Sequence, residues 1–136
     1  IRPALDRGAA VVCDRYLDST RAYQGYGRGR PLELIEALHA HPPLERPPDR
    51  TVLLEVPPEV GLERSRQRAE DGAPGYDEES LAFFRRVAGG FETIAEGDPA
   101  RVRRVEAGLR PQDVHRAVVK AVADLFPGLE PLREGP

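Results

Sequence analysis

The stretch Asp14-Arg15-Tyr16-Leu17-Asp18-Ser19-Thr20-Arg21-Ala22-Tyr23-Gln24-Gly25 gathers carboxylates, guanidinium groups, two phenols, a pair of hydroxyls and a carboxamide. A guanidinium fork matches a phosphate bidentately, and a row of neutral hydrogen-bonding groups matches a base and a sugar. The stretch therefore reads as a nucleotide site. Its parts also have structural readings: Asp14-Arg15 can be a solvated pair opening a loop, and Ser19 can be a helix N-cap. What precedes the stretch favours chemistry. Ala9-Ala10-Val11-Val12-Cys13 is an unbroken apolar run of the kind that forms a fully buried parallel strand. Open α/β sheets bind ligands just outside the carboxyl ends of such strands.

Positioning these side chains takes alternating strands and helices. Residues 9–13 and 51–56 read as buried strands, and Val102 to Val105 as a weaker third, interrupted by Arg103 and Arg104. Leu32, Leu34, Ile35 and Leu38 mark an amphipathic helix that Pro31 can start. Pro57-Pro58 opens another, with Val60 and Leu62 and then Arg64, Arg66 and Arg68, of which Arg64 and Arg68 share a face. Asp71-Gly72-Ala73-Pro74-Gly75-Tyr76 breaks that helix, and Asp77 or Ser80 can cap the next. The stripe Leu81, Phe84, Val87, Phe91 and Ile94 predicts a long helix facing the core or a dimer partner. A last helix runs from Pro111 to Phe126 with Val114, Val118, Val119 and Val122 inward, and the Pro- and Gly-rich tail frays. The alternation calls for an α/β fold, a parallel sheet flanked by helices.

The ordered string Asp-Arg-Tyr-x-x-Ser-x-x-Ala-Tyr-Gln-Gly over 14–25, followed by Gly27-Arg28-Gly29, resembles the nucleotide-monophosphate segment of bacterial thymidylate kinases. The resemblance continues through Pro48-Asp49, Thr51-Val52-Leu53-Leu54-Glu55, Gly61-Leu62-Glu63-Arg64 and Glu78-Glu79-Ser80-Leu81-Ala82-Phe83-Phe84, and fades near residue 120. It implies a P-loop nucleotide-kinase-like, three-layer fold that phosphorylates dTMP to dTDP with ATP and Mg2+, on the way to dTTP. It also implies a cytoplasmic homodimer.

By the same resemblance Arg15 holds the acceptor phosphate, while Asp14 orients Arg15 or reaches toward the magnesium shell. Ser19 and Thr20 lie near the thymine edge, Tyr23 lies against the sugar, and Gln24 reaches phosphate or base. Arg64 or Arg68 stabilises the transferring phosphoryl group from a lid at about 64–78, and Tyr76 approaches the thymidine. For Arg64, Arg66 and Arg68 the alternative is a solvated helix face; for Asp14 it is a structural role. Pro74-Gly75 stands where many relatives carry Asp-Arg, and Glu55 and Glu106 stand where aspartate is usual. No Gly-x-x-x-x-Gly-Lys-Ser/Thr occurs. Residues 1–126 therefore read as the C-terminal part of a single nucleotide-kinase domain whose first strands are missing from this chain, with 127–136 as a flexible tail. Two other readings compete: a different P-loop nucleoside or nucleotide kinase, or a non-catalytic, dimerising relic of one. A nucleoside kinase would need a general base for the sugar hydroxyl.

Composition narrows the classes. The chain has 136 residues, enough for one domain, and a net charge of −3, which argues against a nucleic-acid module. No stretch approaches the ~18 apolar residues of a membrane span, and no secretory signal opens the chain. The lone Cys13 cannot form an internal disulfide and reads as a small core residue, while His39, His41 and His115 lack zinc spacing. The start at Ile1 with no methionine anywhere predicts a piece of a longer protein.

Overall fold

Two parallel strands form the sheet: β1 (Thr51–Glu55) and β2 (Val102–Glu106). Their register runs from Thr51 opposite Val102 to Glu55 opposite Glu106. The computed structural model describes residues 1–42, 44–68 and 78–127, giving the backbone alone for 65–68 and for 78 and 79. Successive side chains of a strand point to opposite faces, so Val102 and Val105, both buried, serve two different faces. Val102 packs with Leu53 and Ala95, with Phe91 and Ile94 against them, and these make the core under the long helix. The exposed positions carry Arg103 and Arg104, which is why the run looked weak as sequence; Arg104 Nε donates to Glu55 Oε2 on β1 at 2.9 Å.

Between and around the strands lie the helices α1 (Arg2–Leu5), α2 (Leu17–Thr20), α3 (Leu32–His39), α4 (Pro58–Arg68), α5 (Glu78–Gly97) and α6 (Pro111–Val122). A π-helical segment, Arg21–Gly27, continues directly from α2. The expected helices at 32–38, after Pro57, over the Leu81 to Ile94 stripe and after Pro111 all form. Pro31 stands at the N-cap of α3, and α6 ends at Val122 rather than Phe126. Both α5 and α6 pack on β2, giving an α/β arrangement. The short α1 was not anticipated, although Pro3 in its first turn and Gly8 beyond its end (φ 77°) are ordinary start and stop signals.

One expected element is absent. Residues 9–13 form no strand, and the run is exposed: Val11 is 37% and Val12 100% accessible, and Cys13 is an exposed thiol rather than a core residue. An apolar run becomes a buried strand only when a neighbour completes its ladder. The sheet formed by the described residues holds β1 and β2 alone. Ser19 is a second correction. It lies inside α2, whose N-cap is Tyr16 without a side-chain cap bond. Ser80 likewise lies inside α5, while Asp77, residues 69–77 of the lid expected at about 64–78, and the tail beyond Pro127 fall outside the described residues.

Candidate functional site

Residues 21–27, which carry Tyr23 and Gln24, are wound more widely than an α-helix. Arg28 N–H reaches back five residues to the Tyr23 carbonyl at 3.1 Å. Such π turns occur often at functional sites. Close packing on α5 accommodates it here. A Cβ at Gly27 would lie 2.7 Å from Phe83 Cε2 and 2.8 Å from Val87 Cγ2, and one at Gly90 would lie 2.6 Å from Tyr26 Cβ. Only glycine permits so near an approach of the two backbones.

Ahead of α2 stands Arg15, the one non-glycine residue with positive φ among the described residues (62°). Holding a side-chain-bearing residue in that region costs on the order of 1–3 kcal/mol, and such strain clusters at sites of function. The exposed Arg15 guanidinium lies over the Tyr23 ring, with Cζ 4.2 Å from the centroid. Tyr23 in turn meets Phe83 and Phe91 of α5 edge-on, at centroid distances of 6.0 and 6.3 Å. Gln24 Oε1 accepts from Arg28 Nη1 at 3.1 Å, and Thr20 Oγ1 donates to the Tyr16 carbonyl at 3.4 Å. Ser19 is half-buried within α2, and Asp14 is exposed beside Arg15.

The structure thus brings Arg15 and Tyr23 together and sets Ser19, Thr20 and Gln24 on the adjoining helical turns. Arg64 is engaged with the loop after β2, its Nη1 donating to the Ala107 carbonyl at 3.3 Å. The Arg68 side chain and Tyr76 lie outside what is described.

Sequence reasoning missed the group that fastens the segment down. Asp18 is only 5% exposed, yet it is ionised among cations. Arg101 grips it with Nη1 on Oδ2 at 2.7 Å and Nη2 on Oδ1 at 3.1 Å, and Thr51 Oγ1 donates to Oδ2 at 2.7 Å. Arg21 Nη1 adds a bond at 3.3 Å. Burial pushes the Asp18 carboxyl up, but the hydrogen bonds from Arg101 and Thr51 and the Arg101 and Arg21 charges outweigh it, so the net direction is downward. Thr51 opens β1 and Arg101 immediately precedes β2, so Asp18 ties α2 to the amino-terminal ends of both strands. The sequence carried only a faint signal: on a helix Asp18 shares a face with the apolar Ala22, which the structure buries fully.

A shallow cleft of about 250 Å³ lies beside this network, lined among others by Arg21, Glu36, Asp98 and Arg101. Its charges are satisfied internally. Arg21 binds Glu36 at 2.5 and 2.7 Å, and Arg101 binds Asp98 at 2.9 Å. It includes neither Arg15, Tyr23 nor Gln24, so the candidate chemistry lies outside it. Among the described residues no group of three or more His, Cys, Asp or Glu side chains could hold a metal, and no helix is long and apolar enough to cross a membrane.

A family model described as thymidylate kinase matches residues 1–118 of this chain. The thymidylate kinase of Thermomicrobium roseum is 47% identical over 126 residues, covering 93% of this chain and 60% of that protein. That of Gluconobacter oxydans is 44% identical over 124 residues (90% and 58%), and that of Desulfovibrio desulfuricans 44% over 119 residues (84% and 55%). The chain thus spans between 55 and 60% of the length of these curated relatives.

Proposed function

The chain belongs to the thymidylate kinase family, and from that premise we propose that it carries the acceptor side of an enzyme that transfers the γ-phosphoryl group of ATP to dTMP, giving dTDP. Such a reaction asks little covalent chemistry of the protein. It requires in-line placement of two phosphates and positive charge around the group in flight. Arg15 is the residue to hold the acceptor phosphate. The observation that carries this is its exposed guanidinium, held on a left-handed backbone at the head of the segment bearing Ser19, Thr20, Tyr23 and Gln24. The hydroxyls of Ser19 and Thr20 and the Gln24 carboxamide suit the base and phosphate, and the Tyr23 phenol suits the sugar. Arg64 or Arg68, with Tyr76, would act from the lid at about 64–78.

The reading includes a homodimer, a cytoplasmic setting and strands beyond residues 1–136 that complete the P-loop nucleotide-kinase sheet. ATP would be held chiefly by those further residues. Magnesium binds through one or two carboxylates together with substrate phosphates. Asp14 offers one exposed carboxylate, which is not a site by itself, and no step is derived through the metal.

The test is an assay of the chain joined to a P-loop-bearing segment of a relative, given ATP and either dTMP or thymidine. Formation of dTDP from dTMP, with thymidine left untouched, is the expected result. Phosphorylation of thymidine in preference to dTMP would overturn the proposal in favour of a nucleoside kinase.

A further inference from the structure

We propose that Tyr23 is a positioning residue for Arg15: its ring face is the platform on which the phosphate-holding guanidinium is oriented. The inference rests on the reading of Arg15 given above, and it adds a role to Tyr23 beyond contact with the sugar. Three observations meet at this pair. Arg15 is exposed on a strained backbone, and a long, flexible side chain in solvent has many rotamers to lose on binding. Its Cζ lies 4.2 Å from the Tyr23 centroid, within the range where the ring quadrupole attracts a guanidinium. The Tyr23 ring is itself fixed, edge against Phe83 and Phe91 of α5, so the platform is rigid.

A planar guanidinium stacked on a ring keeps its N–H groups pointing outward in the stacking plane, free to meet a phosphate as a fork. Orientation before binding saves the rotamer entropy that a free arginine would lose on meeting the phosphate. The contribution therefore falls on the apparent affinity for the monophosphate and passes through Arg15. The ring face, rather than the phenolic hydroxyl, supplies it.

The experiment has two arms, both on the protein completed with its P-loop segment. In the first, NMR follows the Arg15 side-chain protons, which the ring current of Tyr23 should displace upfield. The displacement should persist in Tyr23→Phe and vanish in Tyr23→Leu. Its absence from the unsubstituted protein, or its survival in Tyr23→Leu, overturns the proposal, and this arm requires no catalytic activity. In the second arm, Tyr23→Leu should raise the KM for dTMP about two- to fivefold, the size of an exposed cation–π contact. Tyr23→Phe, which keeps the ring face, should raise KM less than Tyr23→Leu does, and Tyr23→Leu should raise KM by a smaller factor in an Arg15→Ala background than in its presence. Equal effects of Tyr23→Leu with and without Arg15 would show that Tyr23 acts independently, which also overturns it. A protein that shows the upfield displacement but no dTMP kinase activity would instead contradict the proposed function alone.

Discussion

Arg15 concentrates the functional argument at the scale of the single residue. Lysine at that position would keep the charge but present a point donor instead of a planar fork, and it would stack poorly on Tyr23. Loss of a charge-assisted bidentate contact is worth about 1.5–3 kcal/mol, so Arg15→Lys should lower kcat/KM for dTMP about tenfold to hundredfold. Steady-state kinetics on the completed enzyme check this, and unchanged kinetics would remove Arg15 from the phosphate site. Arg15, Tyr23 and Gln24 stood out in the sequence as candidates by their types and spacing. Their arrangement did not. The left-handed backbone at Arg15 leaves no compositional mark, since arginine is not a residue that favours it. Asp18 was passed over for a different reason: a carboxylate in a polar string looks solvated until the distant Thr51 and Arg101 are brought to it.

Asp18 also governs how the elements hold together, because one carboxylate joins α2 to the amino-terminal ends of β1 and β2. Removing one partner of a buried ion pair costs about 3–5 kcal/mol, mostly because the other charge is stranded. Arg101 would retain Asp98, so Asp18→Ala should destabilise by about 3 kcal/mol, the lower end of that range. The pH dependence has a definite sign. The folded carboxyl titrates below its ordinary value of 3.8, so its contribution is present above that value and is lost as pH falls through the folded value. Urea midpoints measured from pH 7 downward should therefore show the unsubstituted protein losing more stability below about pH 4 than Asp18→Ala does. Parallel curves for the two proteins would mean that Asp18 is not held as an ion pair. The elements themselves were largely readable, because α3, α5 and α6 each show an apolar stripe at helical spacing and β1 is an apolar run. The π-helical winding of 21–27 was not readable, since it depends on the close approach of Gly27 to Phe83 and Val87, more than fifty residues away.

At the scale of the whole molecule, the question is what completes the sheet. The run at 9–13 has the sequence of a buried strand and the exposure of a loop, and Leu54 on β1 is 54% accessible. Each of the two strands keeps one edge without a ladder partner among the described residues. A two-stranded parallel sheet offers little independent stability, and every polar group buried without a partner costs ~1–3 kcal/mol against a domain total of ~5–15 kcal/mol. On the proposed function, an additional strand seated between residues 9–13 and β1 completes both the run that forms no strand here and the open edge of β1. Such a strand would pair the free backbone of both. Residues 1–136 expressed alone should therefore melt without a cooperative transition and form no dTDP, whereas the same residues joined to a relative's P-loop segment should melt cooperatively and form dTDP. Circular dichroism melting and a dTDP assay on the two proteins decide it. A sharp cooperative transition from residues 1–136 alone would show that the two strands and their helices suffice, and the additional strand would then be unnecessary for folding.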